Sequence, residues 1–164
     1  MPSPARRVAL LLKAADLKVV FAESCTGGLV SGALTKIPGI SNHHCGGVVV
    51  YRNETKTAYL GISAATLKNP GAVSAEVAEL MARRVLEKTP EADLAVSVTG
   101  HLGPDAPAAL DGRVYVGFAK RKGTPRAKTT SLQCRLKDSR AIRQRWVVAQ
   151  VLQLLGDSLE AGQP

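Results

Sequence analysis

The chain has 164 residues, 45% of them apolar but only 4% aromatic, so its core has to be built from Val, Leu, Ile and Ala. No stretch approaches the ~20 apolar residues of a membrane span, which argues against a membrane partner. The net charge is +9, yet between Arg113 and Arg145 there are eleven Lys or Arg residues and only one acid, Asp138, so one section carries the whole excess. Such a section suits nucleic acid or a phosphorylated small molecule. Cys25, Cys45 and Cys134 show no metal-type or redox-type spacing, and an odd count argues against a secreted disulfide framework. Arg6-Arg7 before Val-Ala-Leu-Leu-Leu imitates a leader, but Lys13 and Asp16 interrupt it and no cleavage site follows. A cytoplasmic protein with reduced thiols is expected, read as one domain over residues 1–164.

In chain order, Pro4 to about Leu17 suits a helix with Val8, Leu11, Leu12 and Ala15 on one face. Leu17–Phe21 reads as a buried strand, followed by a tight turn through Glu23–Gly28 and a helix through Thr35. Ile37-Pro38-Gly39 breaks the pattern, and Ile40 to His44 is expected to be loop. Val48–Tyr51 reads as a second strand buried on both faces. Asn53 to Leu60 is a short helix that Asn53 could cap and Gly61 would end. Ser74 caps a helix to about Lys88, with Val77, Leu80, Met81, Arg84 and Val85 at helical spacing. Leu94–Val98 is a third strand, then a loop from Thr99 to Gly112. Val114–Ala119 and Lys128–Arg135 form two further strands, joined by a Gly-Thr-Pro turn. A final helix runs from Asp138 or Ser139 to Leu155 with Ile142, Trp146, Ala149 and Leu152 inward, and the tail from Gly156 is expected to fray. The order of elements predicts an α/β fold: a three-layer α/β/α sandwich around a mixed, mostly parallel sheet.

The turn Glu23-Ser24-Cys25-Thr26-Gly27-Gly28 holds the chemistry. Backbone N–H groups at a strand-to-helix turn form a nest for an anion or an oxyanion, and a hydroxyl there is a candidate nucleophile. An ordinary capped helix start with small residues explains the same letters. Cys25 at a helix start is a rival nucleophile. The histidines, His43, His44 and His101, suggest no Ser/His/Asp arrangement. His43-His44-Cys45 lacks a second pair at zinc spacing, so loop residues rather than metal ligands are expected.

Ala22–Gly28 (AESCTGG) and Val49–Lys56 (VVYRNETK) resemble motifs of the CinA C-terminal-domain family. Asn69–Ser74 resembles that family's HGAVS helix start, and Ser97–Gly100 followed by Gly103-Pro104 resembles its SGIAGP turn. The matches keep family order from about residue 5 to about residue 155. Characterised members are nicotinamide-nucleotide amidases, so the resemblance implies the same sandwich and a cofactor-free amidohydrolase. It would convert nicotinamide mononucleotide and water to nicotinic acid mononucleotide and ammonia. The resemblance implies Ser24 as nucleophile, Lys56 as base and Tyr51 as proton relay or orienting group. Thr26, Gly27, Gly28, Thr99 and Gly100 would be oxyanion or substrate contacts, and Arg143 a partner for the substrate phosphate. It also implies a homo-oligomer. The loop after Thr99 departs from the family pattern: His101 and Leu102 stand where Ile and Ala are usual, and Asp-Ala-Pro-Ala-Ala replaces a glycine-rich stretch. His101 is therefore a candidate branch-specific contact. The alternatives are a catalytically silent or regulatory module, and a nucleic-acid-binding module using residues 113–145. No helix-turn-helix, zinc-finger or RRM pattern supports the latter, and few aromatics are present to stack on bases.

Overall fold

The computed structural model describes residues 2–121 and 128–162. Five strands, β1 (Val19–Glu23), β2 (His44–Val49), β3 (Leu94–Gly100), β4 (Arg113–Lys120) and β5 (Lys128–Gln133), form one sheet in the order β2-β1-β3-β4-β5. β2, β1 and β3 run parallel, whereas β4 and β5 are antiparallel neighbours. The expected Gly-Thr-Pro turn lies outside the described residues.

β1 is buried along its whole length because it is flanked on both edges and covered on both faces. Its side chains alternate accordingly. Val19 and Phe21 join the apolar cluster on one face, and Val20 and Ala22 join the cluster on the other. The second strand differs from its expectation. It spans His44–Val49 rather than Val48–Tyr51, and it is only partly buried because it forms the sheet edge, leaving Gly47 and Val49 exposed. Gly47 permits close pairing with β1, since a Cβ there would sit 3.0 Å from the Phe21 carbonyl oxygen.

Helices cover both faces. α1 (Pro4–Ala15), α2 (Leu29–Thr35) and the long C-terminal helix pack on the Phe21 side, while α3 (Asn53–Leu60) and, after the single turn α4 (Ala64–Thr66), α5 (Ala75–Lys88) pack on the Ala22 side. The result is the three-layer α/β sandwich with a mixed sheet that the order of elements predicts. α5 opens at Ser74, whose Oγ accepts from the Val77 N–H at 3.2 Å, and α3 ends at Gly61 with φ 65°. Arg52, not Asn53, occupies the cap position of α3, and the Thr55 hydroxyl accepts its N–H.

The final helix, α6 (Arg140–Glu160), departs from expectation in two ways. Its inward face is Val147, Val151, Leu152 and Leu155, while Ile142 and Trp146 are 44% and 37% exposed. Arg143 takes the inward slot one residue along from Ile142, in line with Val147, Val151 and Leu155 at four-residue spacing. The tail from Gly156 is helical to Glu160. Gly156 is buried against the Arg7 guanidinium, which bridges Asp157 and Glu160 at 2.7 Å each. Those ion pairs are partly exposed and worth little, so the anchoring comes mainly from buried Leu155 and Leu152.

Candidate active site

β1 is followed by a helix on one face of the sheet and β2 by a helix on the other. That divergence opens a crevice at the carboxyl ends of the parallel strands, where α/β sheets place their ligands. A cleft of about 510 Å³ lies there, lined by Ser24, Lys56, Thr99, His101 and Arg140 among others.

Strand alternation sends Glu23 toward α2 and Ser24 toward α3. The Ser24 N–H is fixed to the Val98 carbonyl at 2.9 Å. Its hydroxyl lies 3.1 Å from Lys56 Nζ, although 32 residues separate the two in sequence. Lys56 is only 2% exposed, and its Nζ also donates to the carbonyls of Val50 at 2.9 Å and Tyr51 at 3.3 Å. No carboxylate among the described residues pairs with it. Burial without a counter-ion holds its pKa below the usual lysine value. A neutral amine has two N–H donors and one lone pair. The two carbonyls match the donors, and the lone pair is then left for the serine proton. Cys25 is different: burial pushes its thiol up to about 12, so it stays protonated near neutrality.

The nest itself is filled from within. Glu23, 1% exposed, accepts from the Thr26 hydroxyl at 2.6 Å and from the N–H groups of Gly28 at 3.0 Å, Val30 at 3.1 Å and Ser31 at 2.8 Å. Gly27 and Gly28, with φ of 63° and 95°, curl the chain so that this is possible. The Gly27 N–H is taken by the Ser24 carbonyl at 3.0 Å. Gly27 and Gly28 therefore do not offer the free oxyanion donors expected of them, because their N–H groups are spent within the turn. The Cys25 and Thr26 N–H groups have no partner among the described residues.

The other expected site residues divide. Thr99 and Gly100 end β3 and line the cleft, but the Thr99 hydroxyl donates to the Ala72 carbonyl at 2.9 Å. His101 lines the cleft beside them. Tyr51 stands beyond the end of β2, 53% exposed, with its phenol accepting from Arg140 Nη2 at 2.7 Å. Its carbonyl contacts Lys56, and the residue lines the cleft. Arg143 is absent from the cleft lining. It is 6% exposed, paired to Asp111 Oδ1 at 2.6 Å and donating to the carbonyls of Leu102, Leu136 and Asp138. Four of its five N–H donors are spent bracing the 101–112 loop against residues 136–138, and it lies outside the cleft in which a substrate phosphate would sit. Arg143→Ala should cost about 3 kcal/mol of stability, by stranding Asp111 and three carbonyls, and a denaturation midpoint would register it.

Arg140, three residues earlier, is the arginine in the cleft, and sequence reasoning missed it. Its position just inside the start of α6 was the available signal. Arg121, in the same basic section, donates to the carbonyls of Leu86, Thr89 and Ala92. Among the described residues no group of three or more His, Cys, Asp or Glu could hold a metal ion, and no helix is long and apolar enough to cross a membrane. His43 bonds the Leu17 carbonyl, and His44 the Ser31 hydroxyl at 2.7 Å.

Sheet order, switch point and buried pair define a mixed α/β sandwich with a serine–lysine contact at the end of its first strand. The chain belongs to the CinA C-terminal-domain family, whose model matches residues 2–159. It is 48% identical over 113 residues to a putative competence-damage inducible protein of Caldicellulosiruptor saccharolyticus, covering 68% of this chain and 27% of that one. It is 41% identical over 142 residues to one from Halothermothrix orenii, covering 85% and 33%. The chain thus spans about a third or less of these two curated relatives. Among solved structures, the competence/damage inducible protein CihA of Agrobacterium tumefaciens superposes with a TM-score of 0.87 at 34% identity, over 96% of this chain and 93% of that one. A CinA-superfamily protein of Klebsiella pneumoniae gives 0.88 at 26% identity, over 96% of both chains.

Proposed function

We propose that the chain is a serine–lysine amidohydrolase that deamidates nicotinamide mononucleotide to nicotinic acid mononucleotide and ammonia. The observation that carries this reading is the 3.1 Å contact between Ser24 Oγ and a buried Lys56 that has no counter-ion. Ser24 attacks the carboxamide carbon while Lys56 takes its proton. The oxyanion meets the free N–H group of Cys25, which lines the cleft. Lys56 returns the proton to the departing nitrogen, the C–N bond breaks, and ammonia leaves a nicotinoyl ester on Ser24. Water, deprotonated by the same lysine, cleaves that ester and frees the acid. No metal or organic cofactor is needed for these steps.

In this reading the phosphate lies toward Arg140. Its guanidinium uses two donors on the Gly103 carbonyl at 2.6 Å and the Tyr51 hydroxyl at 2.7 Å, which keeps it oriented with further donors to spare. Arg140→Ala should raise KM for the nucleotide about 10- to 100-fold while kcat stays within a few-fold. The riboside, which lacks the phosphate, should show no such change. The direct test is ammonia release from nicotinamide mononucleotide by the purified chain, with the acid product identified. Absence of both would sink the reading and favour the silent or regulatory module.

A further inference from the structure

A short helix start needs no glutamate. Ser, Thr or Asp at the cap satisfies its N–H groups at little cost, whereas a carboxylate taken fully out of water is expensive unless every lone pair is used. Here Gly28 occupies the cap position without a side-chain bond, and a residue five positions earlier supplies the acceptor. Glu23 is 1% exposed and receives four donors, one from the turn hydroxyl, one from the turn backbone and two from the first turn of α2. It therefore ties the end of β1, the turn and α2 into one rigid unit on the side of the strand opposite Ser24. Within that unit the Ser24 N–H and Gly27 N–H are also bonded, and the donors left over are those of Cys25 and Thr26.

We propose that Glu23 is the positioning residue of this site. Its carboxylate fixes the turn so that Ser24 stays in line with Lys56 and the Cys25 N–H group stays free toward the cleft. The proposal rests on the reading of Ser24 as nucleophile. Glu23 acts through the backbone and touches neither substrate nor the reacting atoms.

Glu23→Gln keeps the size but turns one acceptor into an NH2 group that must confront a backbone N–H. The loss should fall on transition-state stabilisation. We expect kcat for the nucleotide, and the rate at which a fluorophosphonate labels Ser24, to fall together by about 100-fold, the scale of a displaced oxyanion donor. KM should remain within about threefold, measured at a temperature where circular dichroism shows the variant folded. Thr26→Val removes one donor, keeps the charge and shape, and guards against a Glu23→Gln chain that fails to fold. It should lower both rates by about tenfold. A purely structural glutamate would lower the melting temperature while leaving the labelling rate of the folded variants within twofold of wild type. That result in Thr26→Val, or in a folded Glu23→Gln, overturns the proposal. The label separates this question from that of the substrate. A wild-type chain that is labelled yet inert to the nucleotide overturns the amidase reading and leaves Glu23 to be judged on labelling rates. A wild-type chain with neither property removes the nucleophile, and Glu23's role with it.

Discussion

Ser24→Ala is expected to reduce ammonia release from nicotinamide mononucleotide by at least about 10³-fold, while the melting temperature stays close to wild type. The substitution removes only the hydroxyl. The 2.9 Å bond from the residue 24 N–H to Val98 and the Glu23 contacts to the turn are made by other atoms, so the turn persists. What is lost is the covalent route. The cleft can still bind substrate, so an isothermal titration with the nucleotide should give wild-type affinity or tighter. Activity that persisted in the variant would move the nucleophile to Cys25. Burial argues against that outcome, because a thiol with its pKa near 12 supplies almost no thiolate at neutral pH.

Lys56 should be equally indispensable, and its pH dependence distinguishes a base from a mere contact. Wild-type kcat/KM should rise with pH through one ionisation lying below the 10.5 of a free lysine, because only the neutral amine accepts the serine proton. Lys56→Arg, which keeps the charge but cannot deprotonate, should be inactive by about 10³-fold or more at every pH. A matching signature appears in stability. Between the depressed native pKa and 10.5 the unfolded chain holds more protons than the folded one, so the unfolding free energy climbs as pH rises across that window. Below it the contribution is gone and the slope from this residue is flat. Urea unfolding of Lys56→Met should lack the climb. A wild-type profile identical to that of Lys56→Met would mean that the lysine is charged in the fold and is no base.

The chain by itself determined the elements and their order. Ser74 before an apolar helical stripe, Gly61 after Leu60, and the apolar runs 17–21 and 94–98 each state a local preference that the fold has no reason to override. It also determined which two segments supply the serine–lysine contact, because the motif letters stand at both Ser24 and Lys56. The α6 rotation, the β2 boundaries and the fate of the tail were not legible there. Each depends on what lies across the contact: Asp111 and three carbonyls claim Arg143, a single neighbour leaves β2 half-covered, and Arg7 and the core hold residues 155–160. The site shows the same division. Glu23, Thr26, Gly27 and Gly28 are visible as a polar, flexible turn, but only the folded backbone shows that Glu23 fills the nest and leaves Cys25 and Thr26 N–H free. Arg140 and Arg143 are indistinguishable as letters on one helix, and the 101–112 loop decides which one faces the cleft. Periodicity and capping are properties of neighbours in sequence. The partner that satisfies a buried charge is a property of neighbours in space, and only tertiary structure supplies it.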